Sequence, residues 1–266
     1  MNIEQSRVLS HAELSGGYRT LELLSPLIAG SVNPGQFVHI HVPRLEASVL
    51  RRPFSVFRAR DGVFSILYKK VGRGTEALTL VQPGDELNVM GPLGNGFPLD
   101  CGSAFPVLVA GGYGVAPLFF LAQRLPSRGI LFAGGASREH VLCTADFEAL
   151  GWEVRVATED GSLGTRGLVT AALDEWKECR RPDVTPVFFA CGPDGMLKAL
   201  ARRAVAGGWS AWLSLDKHMG CGVGACLACV QKIRLPDGAE VWARVCREGP
   251  VFEARQIVWQ EQESRM

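Results

Sequence analysis

The sequence predicts two main domains and a small appended module: an antiparallel β-barrel, then an α/β domain built on a parallel sheet, then a cysteine-rich metal module. Three observations predict this fold class. Short alternating strands occupy the N-terminal part, buried strands alternate with amphipathic helices in the middle, and three of the eight cysteines lie close together near the C-terminus. We place the limits of these units at residues 1–100, 101–213 and 214–266.

The barrel is predicted by short apolar or alternating runs that Gly, Pro and Asn residues interrupt. Thr20–Leu24, Phe37–Val42 and Val63–Tyr68 are examples. His39 and His41 fall on one face of the second run. We interpret both histidines as structural residues, because no third metal ligand is evident nearby in the sequence.

Two polar motifs in the barrel half indicate a phosphate-bearing cofactor. The first is Arg52-Pro53-Phe54-Ser55, and the second is Leu67-Tyr68-Lys69, which Gly74-Thr75 follows. Arginine offers a bidentate fork for phosphate, serine offers a hydroxyl for a ring carbonyl, and the glycine–threonine pair opens a predicted helix, Glu76–Leu80, whose free amides suit a pyrophosphate. These pieces are consistent with a flavin. The alternative is that the arginine is an edge charge and that Tyr68 fills the barrel.

The α/β domain begins with an apolar strand, Val107–Ala110, a glycine turn and a helix that starts near Pro117. The turn, Gly111-Gly112-Tyr113-Gly114, lies where a dinucleotide-binding turn is required, so its three glycines are candidate cofactor-binding residues. It is not the full G-x-G-x-x-G fingerprint, and the next strand, Ile130–Ala133, is followed by two glycines instead of a ribose-binding acid. A tight packing turn is therefore the alternative.

Two further strand ends carry candidate ligands for a nicotinamide cofactor, because open α/β sheets bind ligands at the carboxyl ends of their strands. Cys191-Gly192-Pro193 follows the strand Val187–Ala190. We take the cysteine as the catalytic neighbour of the nicotinamide, and a small residue at a strand end is the alternative. Glu159-Asp160 follows the strand Val154–Ala157. Acids at this position would repel a 2′-phosphate, so the sequence favours NAD over NADP.

The strongest signal is a set of four cysteines in the C-terminal module. Cys221, Cys226 and Cys229 form C-x4-C-x2-C, and Cys246 follows after sixteen intervening residues. This is the plant-ferredoxin type of spacing for four thiolates around a [2Fe-2S] cluster. Glycines at 220, 222 and 224 suit a loop whose amides point at sulfur. A zinc site is the alternative, although zinc loops usually come as two C-x2-C pairs.

The composition argues against several classes of partner. The formal net charge is +1, so no strong field attracts nucleic acid or an anionic membrane. No apolar run approaches the roughly 20 residues that span a bilayer, and residues 1–10 lack the apolar core of a signal peptide. We therefore expect a cytoplasmic protein that binds neither nucleic acid nor membrane.

The motifs occur in the order seen in the ferredoxin reductase superfamily, and the resemblance covers nearly the whole chain. The same series includes a stretch near the end of the first unit, Gly91-Pro92-Leu93-Gly94-Asn95-Gly96-Phe97. Within the superfamily, the stretch Met219–Cys229, together with Cys246 and Gly249-Pro250-Val251-Phe252, resembles the electron transfer subunits of class B dihydroorotate dehydrogenases.

This resemblance implies FAD in the barrel, on Arg52 to Ser55, Leu67 to Lys69 and Gly74-Thr75. It implies NAD at the α/β domain and a [2Fe-2S] cluster on the four cysteines. The implied partner is an FMN-containing catalytic subunit that oxidises dihydroorotate in pyrimidine biosynthesis, in a heterotetramer with two copies of each subunit. Two positions depart from the superfamily pattern: Phe54 stands where many relatives have Tyr, and Tyr113 interrupts a frequent run of glycines.

Two other functions stay open. An NAD(P)H-dependent reductase of the same architecture would serve ferredoxin, a hydrogenase or an oxygenase, and only the partner separates it from the first interpretation. A zinc-stabilised binding module with purely structural glycine turns is the other. A cluster that faces a partner should expose apolar residues, and we expect such a patch at Val223 and Leu227.

Overall fold

The computed structural model describes residues 1–43, 50–179 and 184–259. Its N-terminal strands are β1 (Asn2–Glu13), β2 (Tyr18–Leu24), β3 (Phe37–Ile40), β4 (Arg52–Arg60), β5 (Val63–Lys69) and β6 (Glu86–Leu93). They form a closed antiparallel barrel in the order β1-β2-β5-β4-β3-β6. Two short helices, α1 (Pro26–Ala29) and α2 (Arg73–Leu78), lie in the connections between strands.

The barrel core is built from residues that alternate along its strands, because successive side chains point to opposite faces. Leu21 and Leu23 of β2 are fully buried, and Phe64 and Ile66 of β5 meet them inside the barrel. Phe120, which belongs to the first helix of the next domain, packs into the same cluster. The barrel and the α/β domain therefore pack against each other through a shared apolar contact.

The second half of the chain forms one large sheet with helices on its faces and a separate hairpin. Its helices are α3 (Val115–Arg124), α4 (Thr144–Ala149), α5 (Val169–Cys179) and α6 (Asp194–Ala206). Its strands are β7 (Phe105–Gly111), β8 (Ile130–Gly135), β9 (Glu153–Thr158), β10 (Thr165–Arg166), β11 (Pro186–Cys191), β12 (Ser210–Ser214), β13 (Val230–Arg234), β14 (Glu240–Arg244) and β15 (Val251–Glu253).

The order of the large sheet creates a ligand crevice at its centre. The order is β10-β9-β8-β7-β11-β12-β15, with β15 antiparallel to its neighbour and the other pairs parallel. From β7 the chain runs outward to one side through β8 and β9, and β11 then lies on the other side. Open α/β sheets bind ligands at such a switch point, beyond the carboxyl ends of the strands.

The C-terminal module combines the cysteine loop with the hairpin β13–β14 and is anchored in the α/β domain. Strand β15 returns to the large sheet and pairs with β12. Cys229, Val245 and Cys246 are buried in the same core cluster as the sheet residues Val109 and Phe188. The module as a whole is therefore flanked by two strands of the large sheet, β12 and β15.

The predicted fold class is confirmed, and the differences lie at element boundaries. Helix α3 begins at Val115 instead of Pro117. A proline is tolerated within the first helical turn, because the amide groups there have no partner inside the helix. None of the helices that the structure describes is long and apolar enough to cross a membrane.

Candidate cofactor sites

A first pocket opens where the barrel meets the end of the large sheet. From the barrel it is lined by seven of the predicted flavin-site residues, Pro53, Phe54, Ser55, Leu67, Tyr68, Lys69 and Thr75, together with Phe37 and Val71. The opposite wall consists of Tyr113, Ala116, Cys191, Ser214, Leu215, Asp216, Met219 and Pro250. Strands β4 and β5 pair with each other, so the two barrel motifs reach the same pocket.

Tyr68 is held in this pocket by His11, a residue that the sequence analysis did not identify. The Nδ1 atom of His11 lies 2.8 Å from the carbonyl oxygen of Val81, and its Nε2 lies 2.9 Å from the Tyr68 hydroxyl. A carbonyl can only accept, so Nδ1–H donates to Val81, and in this tautomer Nε2 is an acceptor. The Tyr68 hydroxyl then donates to His11. Burial raises the pKa of Tyr68 to about 12, so the phenol stays protonated.

Arg52 lies beside the pocket, next to the start of α2. A Cβ atom on Gly74 would lie 2.6 Å from Nε of Arg52, so the arginine side chain packs directly over this glycine. The Thr75 hydroxyl oxygen accepts hydrogen bonds from the amides of Val71 and Gly72, at 2.9 and 3.1 Å. A guanidinium and the first turn of a short helix therefore lie together, and both favour an anion such as a phosphate.

A second pocket lies at the switch point of the sheet. It is lined by the predicted residues Gly111, Gly112, Glu159, Cys191, Gly192 and Pro193, and also by Tyr18, His140, Leu168, Val169, Thr170, Asp194 and Met196 among others. The two central turns pack tightly. A Cβ atom on Gly114 would lie 2.2 Å from the carbonyl oxygen of Cys191, and one on Gly111 would lie 2.7 Å from Cδ of Pro193. Gly114 itself does not line the pocket, so its contribution is the close packing of the turn.

The two acids after β9 have different environments. Glu159 lines the second pocket. Asp160 instead accepts hydrogen bonds from the amide and hydroxyl of Ser162, at 2.9 and 2.7 Å, and these bonds lower the pKa of its carboxyl group. Asp160 therefore fixes the turn, and Glu159 is the acid that faces the pocket.

Four residues line both pockets: Lys69, Tyr113, Cys191 and Asp216. We name this set the junction. The Tyr113 hydroxyl donates to a carboxylate oxygen of Asp216 at 3.2 Å. Burial raises the pKa of the Cys191 thiol to about 12, an effect to which the Asp216 carboxylate adds. Cys191 is therefore a neutral thiol that can contact a ring but is not a nucleophile.

The four cysteines of the C-terminal module lie around one loop whose amides point at sulfur. Gly224 N–H donates to Sγ of Cys246 at 3.1 Å, and Cys246 N–H donates to Sγ of Cys229 at 3.4 Å. The amides of Ala225 and Cys226 both donate to Sγ of Cys221 at 3.3 Å. The backbone achieves this because Gly222 and Gly224 adopt left-handed φ angles of 71° and 81°.

The pKa values of two thiols diverge because their surroundings differ. Burial acts to raise the pKa of Cys221, but hydrogen bonds, chiefly from backbone amides, outweigh it and lower the pKa to about 6. Burial and the neighbouring Cys229 thiol raise the pKa of Cys246 to about 12. A cluster's positive iron ions would draw the protons from all four thiols. Four thiols with amide donors to sulfur are the donor set that an iron–sulfur cluster requires.

The loop is braced from outside, and part of it faces solvent. Arg244 forms an ion pair with Glu248 and donates from Nη1 to the carbonyl of Gly224 at 3.0 Å. Leu227 is 73% exposed, as expected. Val223 is only half-buried and packs against the core, so it contributes less to the expected patch than Leu227 does. Within the described part of the chain, no three His, Cys, Asp or Glu side chains surround a single metal position.

Similarity to known proteins agrees with this arrangement. Residues 216–258 match the family model for the iron–sulfur cluster binding domain of dihydroorotate dehydrogenase B. The chain is 41% identical over 262 residues to the electron transfer subunit of dihydroorotate dehydrogenase B (NAD(+)) from Geobacillus thermodenitrificans strain NG80-2, covering 96% of this chain and 98% of that protein. The corresponding protein of Desulforamulus reducens is 38% identical over 245 residues, with 90% and 92% covered.

Solved structures show the same fold. The structure of an NADH-dependent reduced ferredoxin–NADP oxidoreductase superposes with a TM-score of 0.82 at 28% identity and covers 96% of this chain and 90% of that one. A ferredoxin reductase from carbazole 1,9a-dioxygenase, at 19% identity and a TM-score of 0.66, covers 78% of this chain and 66% of that one and shares the fold alone. Because identity near 40% extends over almost the full length of the relatives, this chain belongs to the family of dihydroorotate dehydrogenase B electron transfer subunits.

Proposed function

We propose that this chain carries electrons from a dihydroorotate-oxidising catalytic subunit to NAD, through a [2Fe-2S] cluster and FAD. The observation that supports it best is the junction. Lys69, Tyr113, Cys191 and Asp216 line both pockets, so a flavin ring in the first and a nicotinamide in the second would meet there. Met219, two residues before the first cysteine of the cluster loop, lines the same first pocket.

The roles of the residues follow from their positions. Arg52 and the first turn of α2, with Gly74 and Thr75, would hold the phosphates of FAD. Pro53 to Ser55 and Leu67 to Lys69 would surround its ring, and the Tyr68 hydroxyl, which donates to His11, orients that wall without giving up its proton. When bound, FAD supplies the conversion between the hydride that NAD accepts and the single electrons that the cluster exchanges.

The nicotinamide side would be built by the two central turns. Gly111, Gly112, Gly192 and Pro193 line the pocket that would take the cofactor, and Gly114 keeps the turns in contact. Cys191 would contact the nicotinamide as a neutral thiol. Glu159 would face the ribose and disfavour the 2′-phosphate of NADP, whereas Asp160 shapes the turn. Cys221, Cys226, Cys229 and Cys246 would ligate the cluster.

The partner is proposed to be an FMN-containing catalytic subunit, with two copies of each chain in a cytoplasmic heterotetramer. Exposed Leu227, on the cluster loop, supports a contact with that subunit, because exposed apolar residues next to a redox centre suit an interface. We propose residues 1–100, 101–213 and 214–266 as the FAD, NAD and cluster units.

The test is dihydroorotate-dependent formation of NADH. The tagged chain is captured anaerobically with its bound partner, and NADH is recorded by absorbance at constant flavin content. We expect NADH formation that Cys226→Ser abolishes, because one ligand is lost. Cys179→Ser is the matched control, since Cys179 is exposed at the end of α5, away from the loop, and this variant should retain activity.

The second candidate is an NADH-linked reductase that serves another acceptor. The resemblance to the ferredoxin–NADP oxidoreductase structure at 28% identity favours it. A flavin- and iron-replete complex that forms no NADH from dihydroorotate, but reduces ferredoxin with NADH, would support this candidate and contradict the first.

A further inference from the structure

His39 lies between the flavin pocket and the cluster loop. It belongs to β3, which pairs with β4 and β6 in the barrel wall. Phe37 precedes it by two residues on the same face, lines the first pocket and contacts the imidazole, with 5.7 Å between ring centroids. His39 is therefore the next side chain along the strand from the flavin pocket.

The imidazole also contacts the loop that carries the cysteines. A Cβ atom on Gly222 would lie 2.5 Å from Cε1, 2.7 Å from Nε2 and 2.8 Å from Nδ1 of His39. The ring thus occupies the space where a side chain would project from the residue after Cys221. This contact joins the barrel to the cluster loop.

The two ring nitrogens of His39 have no hydrogen-bond partner among the described residues. The side chain is 0% exposed, and both Nδ1 and Nε2 are buried without a partner. Burial, aided by the charges of Arg51 and Arg52, lowers the pKa of His39 to about 4, so the ring is neutral and carries one N–H donor. Leaving a buried donor unsatisfied costs about 1–3 kcal/mol. A partner that is bound in the working protein would remove this cost.

We propose that the imidazole N–H of His39 donates a hydrogen bond to a sulfur atom of the [2Fe-2S] cluster. The loop from Cys221 to Cys229 holds this cluster. The inference rests on the proposed function, because it requires the [2Fe-2S] cluster. His39 holds the loop against the barrel and, through this direct hydrogen bond, stabilises the reduced, more negative cluster. Hydrogen bonds to sulfur raise the potential of such clusters.

The direct test is pulsed EPR on the whole chain, reduced anaerobically with dithionite. Protein grown with histidine labelled with 15N in the ring should show a 15N coupling to the reduced cluster, which unlabelled protein lacks. The coupling should disappear in His39→Gln and persist in His41→Gln. His41 is the matched control, because it is a histidine two residues further along the chain and its side chain is exposed.

The midpoint potential of the cluster gives a second readout, and a pair of variants separates the hydrogen bond from packing. His39→Leu removes the donor and should lower the potential, and His39→Gln, which keeps an N–H, should restore part of the shift. A reduced cluster without histidine coupling in the wild-type chain overturns the inference and leaves the proposed function intact. A chain that holds no iron–sulfur cluster at all overturns both, and the wild-type experiment does not depend on how any variant folds.

Discussion

Gly222→Ala should destabilise the protein by about 2–5 kcal/mol, because two independent costs fall on one position. The φ angle of 71° is left-handed, which costs about 1–2 kcal/mol for a residue with a Cβ. The new methyl group would also lie 2.5 Å from the buried His39 ring. Overpacking of this kind typically costs about 1–3 kcal/mol. Neither cost depends on whether His39 donates a hydrogen bond to the cluster.

Gly238→Ala is the matched control, since it isolates the backbone cost. Gly238 has a φ angle of 86°, and a Cβ atom there meets nothing within 4 Å. It should therefore cost only about 1–2 kcal/mol. For chains of roughly this size, each kcal/mol lowers the melting temperature by about 2–4 °C. The assay is the melting temperature of the cofactor-loaded chain, followed by circular dichroism, together with the rate at which the cluster absorbance bleaches.

A double variant, Gly222→Ala with His39→Ala, measures the coupling between the two positions. Truncating the ring removes the clash, so the double variant should be less destabilised than the sum of the two single variants by about 1–3 kcal/mol. Equal melting temperatures for Gly222→Ala and Gly238→Ala would refute the contact between the loop and the imidazole. An additive double variant would refute it as well.

Two further variants test the pockets. Glu159→Gln should raise the ratio of kcat/KM for NADPH to that for NADH by about fivefold to tenfold, since removing one nearby charge is worth about 1 kcal/mol. Asp160→Asn, which loosens the turn instead, should leave this ratio unchanged. His11→Phe should weaken FAD retention, because the buried Tyr68 hydroxyl loses its acceptor at a cost of about 1–3 kcal/mol; an unchanged FAD dissociation constant by fluorescence would contradict this.

The sequence predicted the features that depend on local spacing. Alternation and turn residues are local signals, so the barrel and the parallel sheet could be predicted before the structure was known. The cysteine spacing is also local, and the amides that reach Sγ of Cys221 come from Ala225 and Cys226, within five residues. Periodicity located elements well, but α3 began two residues earlier than the expected Pro117.

Contacts between distant parts of the chain could not be predicted in this way. Tyr113 and Asp216 are 103 residues apart, and His11 and Tyr68 are 57 apart. Neither pair has a sequence pattern of its own, because each depends on how the barrel and the sheet pack. The sequence placed His39 and His41 on one face of a strand as structural residues, but β3 ends at Ile40 and only His39 is buried. The sequence could not show that His39 meets Gly222.

The spatial order of the three sites follows from a single strand. Ser214 ends β12 and, with Leu215 and Asp216, forms one wall of the first pocket. The same segment continues directly into the cluster loop, while Asp216 also reaches the second pocket. The first pocket is thereby placed beside both the second pocket and the loop. A carrier that exchanges hydrides with NAD and single electrons with a cluster must contact the nicotinamide and lie near the cluster, and the pocket that adjoins both sites is the one lined by the flavin motifs.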